Sequence, residues 1–262
     1  LIALMLCIST YIIADAQKTS WMVSGPMLGH TEFRTAKVWL EMRPGIASAT
    51  LSFSEAKAGA KSSQVVVKKT ETAFPNIFVF NINGLEPEKN YSYTVQAAGQ
   101  QGSVKGNFST VPFWQWRNKS LPAFSFITGS CAYFNEPQYD RVGKPYGGDS
   151  SIFETMAKEK SDFMLWLGDN WYTRVPDYYS EWGLQYRASR DRSLPVLQNL
   201  LKAMPHYAIW DDHDYGPNDA DKAYILKDES RNVFKKFWAN PSYGMNGEGI
   251  YTKLTWNDVE IF

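Results

Sequence analysis

The residues with the clearest chemical potential lie between positions 209 and 221. This stretch reads Ile-Trp-Asp-Asp-His-Asp-Tyr-Gly-Pro-Asn-Asp-Ala-Asp and follows an apolar run. It holds five aspartates, one histidine and one asparagine. Placing so many carboxylates at the end of a buried strand is costly unless a cation neutralises them. The stretch therefore predicts a metal site where a buried strand opens into a loop.

Two further apolar runs end in residues that can bind a metal. The run at 123–128 leads to Cys131, and the run at 162–167 leads to Asp169, with Tyr172 three residues later. Each signal alone has an ordinary explanation: a turn, a helix cap, or a cysteine packed as a small apolar side chain. Together they favour one site, because ligands bind at the carboxyl edge of open α/β sheets.

The pattern from residue 123 onward is one of alternating strands and helices. The predicted strands cover 123–128, 162–167 and 206–210, and the predicted helices cover 150–160, 179–204 and 219–239. Pro195 must begin or bend a helical segment. Strands that feed helices in this order predict right-handed crossovers and a largely parallel sheet. His206 begins its strand, so we expect it at the edge opposite the site.

Residues 17–112 carry a different pattern, in which short alternating runs such as 35–41 and 78–82 are separated by turns. This spacing predicts a β-sandwich. The sequence Gly-Leu-Glu-Pro-Glu-Lys-Asn-Tyr at 84–91 is typical of the tyrosine corner of fibronectin type III-like sandwiches. His30 is expected to be an ordinary surface or packing residue. Residues 113–122 are predicted to be a linker.

The beginning of the chain predicts export. Residues 1–14 are nearly all apolar, and Ile-Ala-Asp-Ala at 13–16 fits a signal peptidase site, so we expect 1–16 to be part of a signal peptide. The alternative is a buried N-terminal strand. Cys7 lies in this segment, which leaves Cys131 without an internal disulfide partner, so Cys131 either packs as a small apolar side chain or binds a metal. No later segment has the pattern of a transmembrane span.

The charge balance argues against a stable nucleic-acid partner. Lys plus Arg and Asp plus Glu are both 27 among 262 residues. Binding to a phosphate backbone requires a basic surface, which this composition does not predict. The length allows one large domain or two ordinary ones.

The three motifs as a set resemble the PhoD-like branch of the metallophosphoesterases, the alkaline phosphatase D family. They are Gly-Ser-Cys at 129–131, Gly-Asp-Asn-Trp-Tyr at 168–172 and Trp-Asp-Asp-His-Asp at 210–214. The resemblance implies an N-terminal all-β, fibronectin type III-like sandwich followed by an α/β domain. That second domain, a metallophosphoesterase-type α/β/β/α sandwich from 123 to 262, is expected to be incomplete here.

The resemblance also implies roles for individual residues. Cys131, Asp169 and Tyr172 match positions that bind ferric iron (Fe3+). Asp212 matches a metal ligand with a catalytic role, and His213 matches the histidine that contacts the phosphate. Asn218 resembles a calcium (Ca2+) ligand. Thiolate and phenolate suit an iron centre, and carboxylate and amide oxygens suit calcium.

The implied activity is metal-dependent hydrolysis of a phosphate ester, a phosphodiester or phosphomonoester, with a metal-bound hydroxide as nucleophile. The alternative is a non-enzymatic exported protein that binds calcium for structure or adhesion. Another hydrolase on the same scaffold, a nuclease or a lipid phosphodiesterase, also stays open. The family takes further histidine ligands from a later region, and this chain has only His30, His206 and His213. We therefore expect a fragment with little activity alone. The sequence does not indicate an oligomeric state.

Overall fold

The computed structural model describes residues 19–115 and 120–262, and its first part consists of antiparallel strands. The strands are β1 (Met22–Thr31), β2 (Thr35–Met42), β3 (Ser48–Glu55), β4 (Ser63–Lys68), β5 (Asn76–Asn83), β6 (Asn90–Ala97) and β7 (Val104–Ser109). They form two sheets, in the orders β1-β2-β5 and β4-β3-β6-β7. Alternate side chains of both sheets enter one apolar core. The strands predicted at 35–41 and 78–82 are confirmed.

A tyrosine fixes the corner before β6. The hydroxyl of Tyr91 accepts a hydrogen bond from the backbone N–H of Glu86 at 2.9 Å. The hydroxyl of Thr110 donates to the carbonyl of the same glutamate at 2.7 Å. The Tyr91 ring stacks on Phe108 at a centroid distance of 5.2 Å. This is the tyrosine corner that the sequence at 84–91 predicted.

The second part is built on a three-stranded parallel sheet. Its strands are β8 (Phe126–Gly129), β9 (Phe163–Leu167) and β10 (His206–Ile209), in the order β10-β9-β8. The helices are α1 (Ser151–Lys158), α2 (Glu181–Arg192), α3 (Pro195–Ala203), α4 (Asp212–Tyr215) and α5 (Lys227–Phe237). A short 3-10 helix (Met245–Gly247) and the antiparallel pair β11 (Leu254–Trp256) and β12 (Val259–Ile261) follow.

Two predictions about this part were wrong in detail. The strand expected to be buried at 123–128 begins at Phe126, whose side chain is 45% exposed, because β8 pairs only with β9 in the described part of the chain. The helix expected over 219–239 begins at Lys227. Asp219 has a left-handed φ of 57° and donates its N–H to the carboxylate of Asp212 at 2.6 Å, so the chain makes turns there instead.

The two parts pack directly against each other. Trp39 of β2 donates its indole N–H to the carbonyl of Lys236 in α5 at 2.8 Å. Gly29 of β1 lies so close to Ala239 that an added Cβ would be 2.4 Å from the alanine Cβ. His30 is buried at this junction, where its Nδ1 lies 3.2 Å from the hydroxyl of Tyr207 in β10. The packing role expected for His30 is confirmed.

The predicted signal peptide at 1–16, with Cys7, lies outside the described residues, as does the middle of the predicted linker at 113–122. In the part of the chain that the structure describes, no helix is long and apolar enough to cross a membrane.

Candidate metal centre

The carboxyl ends of the three parallel strands bring the predicted ligands together. Asp169 follows β9, and Asp212 and His213 follow β10. One ligand atom from each of these three side chains lies within 4.8 Å of the others. Cys131, after β8, places its Sγ 3.7 Å from Oδ2 of Asp169. The convergence expected from the three strand ends is therefore present in the fold.

Backbone hydrogen bonds hold the three loops in place. The N–H of Cys131 donates to the carbonyl of Gly168 at 3.3 Å, and the N–H of Ala132 donates to that of Asp169 at 2.9 Å. Cys131 and Asp169 both have left-handed backbone angles, with φ of 59° and 50°. Residues other than glycine rarely adopt this backbone region. Such strain tends to be concentrated at functional sites.

Tyr172 closes one side of the cluster. Its ring lies 4.3 Å from the ring of His213. Burial raises the pKa of the Tyr172 phenol well above its usual value, and hydrogen bonds with Cys131 and Asp169 raise it further. The phenol, the thiol and the carboxylate thus lie together, and a cation bound between them would stabilise the phenolate.

His213 offers a ring nitrogen that has no partner among the described residues. Its Nδ1 is buried and forms no hydrogen bond. A buried polar atom left without a partner costs about 1–3 kcal/mol. The backbone N–H of His213 is directed at Oδ1 of Asp169 at 3.4 Å. An unpartnered imidazole nitrogen beside two carboxylates and a thiol is a donor set that fits a metal ion.

Asn218 lies at the exposed rim of the site. Its amide nitrogen donates to Asp219, whose backbone N–H in turn donates to Asp212. Asn218 lines the same cavity as Tyr172 and His213. The loop from 212 to 219 therefore connects the asparagine to the cluster, although the amide is not among the side chains that meet at its centre.

Asp214 is a residue whose importance the sequence alone did not reveal. Its carboxylate accepts hydrogen bonds from the backbone N–H groups of Asn170 at 2.8 Å, Trp171 at 3.3 Å and Asp211 at 2.9 Å. Burial raises its pKa to about 8. Asp214 thereby ties the loop after β9 to the loop after β10. The Asp-x-x-Asp spacing of a capping box, at 211 and 214, was the available signal.

A buried arginine lies behind Asp214. The guanidinium of Arg192 is 3.9 Å above the ring of Trp238 and about as far as cation–π contact allows from Trp39 and Trp171. Burial lowers its pKa to about 9, and the nearby Asp214 and Glu41 counter this shift. No sequence pattern indicated a role for Arg192, because the tryptophans and carboxylates around it come from separate segments of the chain.

The aromatic residues near the motifs have divided roles. Trp171 is fully buried and stacks on Trp238, so it belongs to the core. Trp182 stacks on Tyr186 at the surface. Tyr178 lines the cavity beside Tyr172, and Tyr179 is 71% exposed outside it. Of these aromatic residues, Tyr172 and Tyr178 line the cavity.

The chain is similar in fold and in sequence to PhoD proteins. The solved structure titled "Structure of PhoD" superposes on 92% of this chain with a TM-score of 0.73 and 19% sequence identity, a similarity that shows the fold. Alkaline phosphatase D of Bacillus subtilis (strain 168) is 28% identical over 178 residues, which cover 61% of this chain. No family model matches the chain.

The matched regions are only part of these relatives. The alignment covers 28% of alkaline phosphatase D, and the superposition covers 51% of the PhoD chain. The chain thus spans about half of the solved structure and less than a third of the curated relative.

Proposed function

We propose that the chain is the sandwich and first catalytic part of a metal-dependent phosphoric ester hydrolase of the PhoD type. One observation carries this proposal: Cys131, Asp169, Tyr172 and His213 come together at the carboxyl edge of the sheet, where the buried Nδ1 of His213 forms no hydrogen bond with the described residues. The similarity to alkaline phosphatase D supports hydrolysis of a phosphate ester as the reaction class. The strand order and the tyrosine corner support a fibronectin type III-like identity for the N-terminal sandwich.

The donor types support two kinds of metal. Cys131, Asp169 and Tyr172 would hold ferric iron, because thiolate, carboxylate and phenolate are strong anionic donors. Asp212 and Asn218 would hold calcium, which prefers carboxylate and amide oxygens. The bound metals would supply a deprotonated water as nucleophile and positive charge for the phosphoryl oxygens.

The protein's own groups would orient the substrate. His213 would hydrogen-bond a phosphoryl oxygen or donate a proton to the leaving oxygen, and its ring packs against the tilted ring of Tyr172. The carboxylate of Asp212 accepts a hydrogen bond from the backbone N–H of Asp219, and this bond would hold the loop that carries His213 in place. Asp214 holds the two ligand-bearing loops in register, so it positions the ligands without contacting substrate.

Removal of a ligand tests the proposal. In a full-length version of the protein, we expect Cys131→Ala and Asp169→Ala each to remove iron and to lower hydrolysis of bis(p-nitrophenyl) phosphate more than about 100-fold, since even residues behind metal ligands are worth 10- to 100-fold. Iron is measured by elemental analysis. Asp228→Ala, which removes an exposed carboxylate paired with Arg231, is the control and should change neither. Undiminished iron in either ligand variant would refute the assignment.

A spectroscopic test addresses the phenol. If Tyr172 binds ferric iron, the protein has a visible charge-transfer band that Tyr172→Phe removes or shifts, while Tyr178→Phe, which lines the same cavity, leaves it unchanged. A band that survives Tyr172→Phe at the same wavelength would show that the phenol is not a ligand.

A further inference from the structure

A cavity beside the metal centre is larger than a phosphate group requires. It has a volume of about 540 Å³ and shares Tyr172 and His213 with the cluster. Sites that take whole small molecules occupy about 300–1,000 Å³. An ester whose phosphorus lies near His213 therefore has space here for one of its organic groups. Under the proposed phosphoesterase function, this organic group of the ester would occupy the cavity.

The wall of the cavity is a continuous series of aromatic rings. Tyr172 is 4.7 Å from Tyr133, and Tyr133 is 5.0 Å from Tyr146, both in edge-to-face geometry. Tyr146 is 45% exposed and Tyr139, on the same wall, is 47% exposed. Rings that are half-exposed inside a concave surface offer a stacking partner large apolar contact at low cost in side-chain entropy.

The loop that carries these rings is held in one conformation before any ligand binds. Asn135 and Tyr146 exchange two hydrogen bonds, from the asparagine amide to the tyrosine carbonyl at 2.6 Å and from the tyrosine N–H to the asparagine oxygen at 3.0 Å. Both use the backbone of Tyr146, so they survive a change of its side chain. A preorganised wall loses little entropy on binding.

The charges of the cavity favour an anionic ligand. Asp140 is the acidic residue of the described lining, and its carboxylate is already bound by Arg174 at 3.1 Å and by the hydroxyl of Tyr133 at 2.6 Å. Although burial opposes it, these bonds hold the pKa of Asp140 down to about 2. The guanidinium of Arg141 lies 3.9 Å above the ring of Tyr146 and has no carboxylate partner among the described residues.

We propose that this cavity is a specificity site for a planar aromatic ring in the ester, bound beside the scissile phosphate. The ring would stack against Tyr139 and against the Tyr146–Arg141 pair. Tyrosine rings and flat guanidinium groups both attract aromatic groups. The preferred substrates are then phosphodiesters in which the group that remains on phosphorus is an aryl group rather than a small alkyl group.

Two diesters with the same leaving group test this preference. A full-length, metal-loaded version of the protein is assayed with phenyl p-nitrophenyl phosphate and with methyl p-nitrophenyl phosphate, and the ratio of the two kcat/KM values is determined. We expect the double variant Tyr139→Leu, Tyr146→Leu to lower this ratio roughly tenfold, by lowering the phenyl value and leaving the methyl value unchanged. Comparing variant with parent cancels the intrinsic reactivity difference between the diesters.

The control is Tyr251→Leu, an exposed tyrosine that lies outside this cavity, and it should leave the ratio unchanged. Arg141→Met in the parent should lower the ratio severalfold, since it removes the guanidinium and keeps the length of the side chain. An unchanged ratio in the double variant would overturn the aromatic site while leaving the hydrolase function intact.

A binding experiment separates the two proposals. Phenylphosphonate and methylphosphonate are titrated into the metal-loaded protein and followed by calorimetry. Tighter binding of phenylphosphonate in the parent, lost in the double variant, supports the aromatic site even if neither diester is hydrolysed, in which case the hydrolase function fails alone. Equal affinity for both phosphonates, or binding of neither, overturns the aromatic site.

Discussion

Individual residues of the candidate metal centre are held in states that cost free energy. Cys131 and Asp169 have left-handed backbone angles, and His213 leaves a buried ring nitrogen without a hydrogen bond. Each feature costs about 1–3 kcal/mol in a protein without a ligand. The surrounding structure maintains them because Asp214 accepts three backbone hydrogen bonds from the two adjacent loops. Asp214 thus ties together the two loops that carry the candidate ligands.

The variant Asp214→Asn tests this positioning role. An amide can accept at one position only, and its NH₂ group would meet a backbone N–H at the other. We expect the free energy of unfolding to fall by about 1–3 kcal/mol in urea denaturation, together with weaker iron binding. Asp211→Asn is the matched control, because asparagine is as good a helix N-cap as aspartate. Equal stability of the two variants would contradict the role of Asp214.

At the scale of elements, strand ends determine where chemistry is possible. The parallel register of β8, β9 and β10 places Gly129, Leu167 and Ile209 at one edge, so the residues that follow them meet. The left-handed turn at Gly168, with φ of 100°, brings Asp169 toward the loop of Asp211. An added Cβ at Gly168 would lie 2.6 Å from the Cβ of Asp211. The close approach of these two loops therefore leaves no space for a side chain at position 168.

A second close approach, between β1 and the chain after α5, gives a test of element packing. In Gly29→Ala the new methyl group would lie 2.4 Å from Cβ of Ala239, and we expect a loss of about 1–3 kcal/mol in unfolding free energy. Gly148→Ala, where nothing lies within 4 Å, should be nearly neutral. Adding Ala239→Gly to Gly29→Ala should restore part of the loss. Full stability of Gly29→Ala would mean that the two elements can separate freely.

For the whole molecule, the sandwich and the α/β part share buried polar groups. Glu41 of β2 is fully buried and accepts a hydrogen bond at 2.7 Å from Ser189 of α2. Arg192 of the same helix lies among tryptophans from both parts, next to Asp214. The sandwich therefore forms part of the support behind the metal centre, and we expect the α/β part to require it for folding.

Glu41 predicts a pH dependence of stability. Burial raises its pKa from 4.5 to about 7, so the folded protein binds a proton that the unfolded chain has released. Since the folded state then holds more protons, the free energy of unfolding falls as pH rises from about 4.5 to 7, by about 3 kcal/mol for this group. Glu41→Gln should flatten this slope in urea denaturation, and Glu154→Gln on the exposed face of α1 should not. An identical slope in Glu41→Gln would refute the assignment.

The order of strands and helices could be predicted from the sequence, as could the position of candidate ligands after the ends of three strands. This was possible because apolar periodicity and turn residues are local properties, as with Tyr91 and with Pro195 at the start of α3. The helix start at Lys227 was missed, since the bond from Asp219 to Asp212 competes with helix formation and no local pattern reveals it.

The residues that surround the candidate metal centre could be identified from the tertiary structure but not from the sequence. The support of Asp214 by Arg192, and the series of rings from Tyr172 to Tyr146, join residues that are distant in sequence, and their contacts depend on how the loops and helices pack. A sequence can place a carboxylate at a strand end, but burial and distance decide whether that carboxylate binds a metal, holds a loop or neutralises an arginine.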